Sequence, residues 1–78
     1  MQTNLNNNVV WSQPACAACE QAKTLLKSKG IPFEVKVLGE NATKEEMFAL
    51  LPRARSVPQI FLSGKHIGGL PELKKYFQ

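Results

Sequence analysis

The hydrophobic and polar positions of this chain switch repeatedly between a two-residue and a three-to-four-residue period. The run VVWS, residues 9–12, is β-branched and aromatic and reads as a short buried strand. QPA, residues 13–15, breaks it. From Cys16 to Lys29, Ala18, Ala22, Leu25 and Leu26 recur at helical spacing with charged residues between them. Gly30 stands where a helix C-terminal glycine belongs, and Pro32 bars continuation. In FEVKVL, residues 33–38, Phe33, Val35 and Val37 share one face and Glu34 and Lys36 the other, as in a strand buried more on one side. After a GENA loop, Thr43 and Glu46 form a capping-box pattern that opens a helix over KEEMFALL, ended by Pro52. QIFL and KHI around a Ser-Gly turn predict a hairpin. Pro71 suits a first helical position, so PELKKYF predicts a last helix.

The predicted order is β-α-β-α-β-β-α. Its first β-α-β unit should be a right-handed crossover between parallel strands, and the hairpin should add antiparallel strands to the same sheet. The expectation is an α/β fold: a four-stranded mixed sheet flanked by three helices, some on each face. A chain of 78 residues makes one domain. Residues 9–78 are assigned to it, and the polar, asparagine-rich residues 1–8 to a flexible N-terminal segment. Trp11, Phe33, Phe48, Phe61 and Tyr76 are expected in the core or at its edge. No apolar run approaches the ~20 residues that span a bilayer, and MQTNLNNN lacks the basic and apolar parts of a secretory leader. A soluble, cytoplasmic monomer without membrane contact is expected. The net charge of +4 is scattered over separate segments, which describes a solvated surface and no nucleic-acid footprint.

The chemistry lies in PACAACEQAK, which holds both cysteines, Cys16 and Cys19. Zinc needs four ligands, and the chain offers only His66 beyond this pair, so no metal is expected. Inert core cysteines would explain neither the paired spacing nor the position at a strand-to-helix turn. A redox couple explains both. A sulfur at a helix N-terminus faces unpaired N–H groups and the positive end of the helix dipole, which favour thiolate. A second cysteine three residues on shares that face, within disulfide range.

The blocks VVWSQPACAACEQAKTLLKSKGIPFE, SVPQIF and GKHIGG together resemble the glutaredoxin family of the thioredoxin-fold superfamily. The resemblance covers nearly everything after residue 8. It implies a glutathione-dependent thiol-disulfide oxidoreductase that reduces protein disulfides and glutathione mixed disulfides, with Cys16 as nucleophile and Cys19 as resolving thiol. It implies a cis Pro58, with the Val57 backbone presented beside the sulfurs to an extended substrate. It also implies glutathione contacts at Gln13, Lys44, Leu70 and Glu72. Three departures from the family pattern bear on glutathione: Ala17-Ala18 replaces Pro-Tyr, Gln13 stands where a basic residue is common, and Pro71 removes an N–H from the turn that would hold glutathione's γ-glutamyl carboxylate. Two alternatives stay open. One is an electron donor recharged by thioredoxin reductase, for a partner such as ribonucleotide reductase. The other is a carrier of a [2Fe–2S] cluster, which some relatives lacking that proline hold across a dimer.

Overall fold

Strand β1 (Val9–Ser12) is the strand on which both halves of the core are built. The computed structural model describes residues 7–78, so residues 1–6 of the expected N-terminal segment lie outside the described residues. After β1 come α1 (Ala17–Ser28), β2 (Glu34–Val37), α2 (Lys44–Leu50), β3 (Gln59–Leu62), β4 (Lys65–Gly68) and α3 (Leu70–Tyr76). The sheet order is β2-β1-β3-β4. β1 and β2 run parallel, with Val10 opposite Val35 and Trp11 opposite Lys36. β3 pairs antiparallel with both β1 and β4. This is the mixed sheet with three helices that the sequence predicts.

Alternation along β1 sends Val10 to one side and Trp11 to the other. On the Val10 side, α1 and α3 cover a cluster of Val10, Ala22, Leu26, Ile60, Leu62 and Leu73, with Phe33 and Phe77 packed against it. On the Trp11 side, α2 and its flanking loops bring Leu38, Ala42 and Met47 over the indole, with Phe61 beside them. Lys36 extends its ammonium over the Trp11 ring at 5.9 Å, so the polar face of β2 shields an aromatic core residue. Two of the expected core aromatics are not in the core. Phe48 is 43% exposed and Tyr76 56%. Both sit on short helices whose single buried positions are Met47 and Leu73, and each aromatic is left exposed.

The ends of the helices follow local chemistry. α1 closes in a Schellman motif: Gly30 (φ +70°) donates to Lys27 O and Ile31 N–H to Leu26 O. α2 opens with the expected capping box between Thr43 and Glu46. α3 starts one residue earlier than the sequence reading, at Leu70 with Gly69 as N-cap, so Pro71 is the second helical residue.

Two asparagines do work that their sequence context hides. Asn8 belongs to the expected N-terminal segment, and it is buried. Its amide donates to Pro32 O at 2.9 Å and accepts from Ser63 N–H at 2.8 Å, joining the start of β2 and the hairpin turn to β1. Asn41 accepts from Val37 N–H at 2.6 Å and donates to Val35 O at 3.2 Å, so its side chain lies along the outer edge of β2.

Candidate active site

The site forms where β1 ends. Ala15 takes a left-handed conformation (φ +57°), and this turn delivers Cys16 as the N-cap of α1 with an extended backbone. Cys16 Sγ accepts a hydrogen bond from Cys19 N–H at 3.1 Å, in the place where a serine or aspartate oxygen caps other helices. The two cysteines form a disulfide with their Cα atoms 5.2 Å apart. They are not equivalent. Cys16 is half-buried, and Cys19 is inaccessible, wedged into the Val10 side of the molecule. Cys16 is thus the more accessible of the two, and its sulfur lies at the N-terminus of a twelve-residue helix.

The Val57–Pro58 peptide is cis, as the resemblance implies. Pro58 is buried while Val57 is half-buried and lines two hollows, one on each side. The first, 540 Å³, runs between Ala18, Ser56, Val57, Pro58 and the Gly68–Glu72 turn. The second, 310 Å³, is bounded by Gln13, Lys44, Phe48, Arg55 and Val57. Both have the size of small-molecule sites. The sequence-derived residues thus divide into two groups that meet at Val57: Leu70 and Glu72 in the first hollow, Gln13 and Lys44 in the second. Arg55 and Phe48 were missed as site residues. The basic residue next to SVP was the available signal for Arg55; nothing in the periodicity marked Phe48, which reads as core.

Glu72 already has a partner. Its Oε1 accepts the Gly69 N–H at 2.8 Å, and that bond is the first cause holding its carboxyl below the usual carboxylate range. The contact needs a glycine at 68. A Cβ there would meet Glu72 Cγ at 2.7 Å, and φ of +126° also disfavours any side chain. Pro71 leaves a gap in the row of N–H donors, as expected from the sequence. Among the described residues, no three His, Cys, Asp or Glu side chains gather as a metal site.

A family model named glutaredoxin matches residues 8–67, which contain both cysteines, Gln13, Lys44 and Val57-Pro58 but end short of Leu70 and Glu72. Hybrid peroxiredoxin hyPrx5 of Haemophilus influenzae is 46% identical over 68 residues; the match takes in 87% of this chain but spans only 28% of that protein. Glutaredoxin 3 of Escherichia coli is 37% identical over 67 residues, covering 86% of this chain and 81% of its own length. Among solved structures, a buckwheat glutaredoxin-glutathione complex superposes with a TM-score of 0.80 at 30% identity, over 95% of this chain and 70% of that one.

Proposed function

The chain belongs to the glutaredoxin family of thiol-disulfide oxidoreductases, and from that premise we propose that glutathione is its reductant, with Cys16 the attacking sulfur and Cys19 the resolving one. The observation that carries the reading is the asymmetry of the pair: a half-buried Cys16 Sγ held by a helix-terminal N–H beside an inaccessible Cys19. In the forward reaction the Cys16 thiolate attacks one sulfur of a substrate disulfide. The S–S bond breaks, and the leaving thiolate takes a proton from solvent. Cys19, deprotonated, then attacks Cys16 Sγ and expels the second substrate thiol. The protein is left oxidised by two electrons, as the Cys16–Cys19 disulfide. One glutathione thiolate opens that disulfide at the accessible Cys16, and a second releases glutathione disulfide and restores both thiols.

The two hollows fit the two ends of such a tripeptide. Lys44, Arg55 and Gln13 would face its glycine carboxylate, the Val57 backbone its cysteine, and the Leu70 N–H its γ-glutamyl carboxylate. Proteins carrying a disulfide are the second substrate class. The hybrid peroxiredoxin extends far beyond its shared 68 residues, so a peroxiredoxin disulfide is the protein substrate to try first.

The deciding assay is reduction of a glutathione mixed disulfide, run with glutathione plus glutathione reductase and, separately, with thioredoxin reductase. Turnover in the first arm alone is expected. Turnover in the second arm alone would sink the glutathione reading, and a coloured protein with a cluster absorbance would favour the carrier reading instead.

A related prediction concerns Pro71. Pro71→Asp restores an N–H in the first turn of α3, where the γ-glutamyl carboxylate should lie. A hydrogen bond to a charged group is worth about 1.5–3 kcal/mol. The glutathione KM is therefore expected to fall by about tenfold, while loss of the proline costs under ~1 kcal/mol of stability. A KM that stays level or rises in a folded variant would place glutathione elsewhere.

A further inference from the structure

We propose that Gln59 and His66 are positioning residues for disulfide exchange, a side-chain relay from strand β4 that fixes the peptide plane carrying the Val57 N–H. The inference rests on the reading that Val57 presents its backbone to the substrate. Gln59 Nε2 donates to Ser56 O at 2.9 Å, and Gln59 Oε1 pairs with His66 Nε2 at 2.8 Å. The His66 ring is itself braced against Phe61, with centroids 5.2 Å apart.

The geometry matters because Ser56 C=O and Val57 N–H are two ends of one planar group. The cis bond is the following one, Val57–Pro58, so the Ser56–Val57 peptide is trans and its N–H points away from its C=O. A bond that fixes the Ser56 oxygen therefore fixes the direction of the Val57 N–H. Packing holds the loop at Ala54 and Val57, which lie against the Trp11 cluster, and at the buried Pro58, but packing does not set the rotation of the Ser56–Val57 peptide plane. Between α2 and β3, among the described residues, the other main-chain bond is Ala54 N–H to Leu51 O, two residues before Ser56. Ser56 is exposed, and Val57 forms the border shared by both hollows. The orientation of the amide is set by its partners: a carboxamide that donates to a carbonyl on one side must accept on the other. His66 supplies the donor from a protonated Nε2, which the imidazolium and one neutral tautomer both have. The relay thus ties the loop to the hairpin that closes the sheet, running from Gln59, which lines the first hollow, to His66, which lines neither hollow.

The test uses Gln59→Glu, a near-isostere that still accepts from His66 but sets a carboxylate oxygen against the Ser56 oxygen. Backbone amide order parameters are measured without substrate, and steady-state kinetics with a glutathionylated peptide. The Val57 order parameter is expected to fall from the rigid value of about 0.85 towards 0.6. The peptide KM is expected to rise about fivefold, the worth of one hydrogen bond, with kcat and the pH profile of Cys16 alkylation unmoved. His66→Leu should act in the same direction by less, and His66→Gln should restore the wild-type values because it keeps a donor. The double variant Gln59→Glu/His66→Leu should be no worse than Gln59→Glu alone, since both break one chain of contacts. An unchanged Val57 order parameter overturns the relay whatever the kinetics show. A lowered order parameter with an unchanged KM means that Val57 does not hold the substrate, and the proposal falls with that premise.

Discussion

Cys16→Ser is expected to abolish reduction of every disulfide substrate, and Cys19→Ser to abolish only part of it. The serine hydroxyl at 16 keeps the N-cap bond and so keeps the fold, but it has no nucleophilic anion near neutral pH. With Cys16 intact, the Cys19→Ser protein can still attack a glutathione mixed disulfide and be released by free glutathione. It cannot resolve a mixed disulfide with a protein, which then accumulates as a covalent adduct. Mass spectrometry of the trapped adduct and coupled turnover on the two substrate classes check this. Survival of activity in Cys16→Ser with loss in Cys19→Ser would exchange the two roles, against the burial that now distinguishes them.

Asn8→Ala is expected to be the most damaging change far from the site. The substitution removes a buried carboxamide and takes the protein partner from Pro32 O and Ser63 N–H, which belong to exposed residues. Each lost hydrogen bond costs about 0.5–1.5 kcal/mol. A loss of roughly 1–3 kcal/mol lowers the melting temperature of a domain this small by about 5–15 °C. Thermal unfolding followed by circular dichroism reads it directly, and a shift under about 2 °C would show that the two ends of the clamp are held by other means. Activity at low temperature should be retained, because neither partner touches the sulfurs.

The contrast between Cys16 and Asn8 shows what the sequence could convey. Cys16 sits in a local pattern, a strand, a break and an amphipathic helix, whose chemistry depends on residues within a few positions. Its place at the helix N-terminus was readable because the signals that start a helix are local. The same holds for the Thr43–Glu46 box, Gly30 and the missing N–H at Pro71. Asn8 stands in a run of asparagines, and its partners lie 24 and 55 residues away. No period or spacing encodes them. Phe48 and Tyr76 failed for a related reason. An aromatic residue on a short helix counts as core by composition, but a seven-residue helix presents only two turns to the sheet. Met47 and Leu73 take the inward positions. Arg55 was legible as a basic residue and illegible as a site residue until the loop placed it beside Lys44, Gln13 and Val57. The relay through Gln59 needed both strands of the hairpin in register before it could be seen.

Asn41 has a consequence for the solution behaviour of the protein. A sheet with an open margin offers its unpaired amides and carbonyls to any extended polypeptide, and growth by accretion at that margin is a route to fibres. By giving its own carboxamide to Val35 O and Val37 N–H, Asn41 takes up two of the groups that β2 would offer to an added strand. The opposite margin, β4, carries the exposed Lys65 and His66. An incoming strand therefore meets an occupied backbone at β2 and a cationic lysine at β4, and both disfavour its addition.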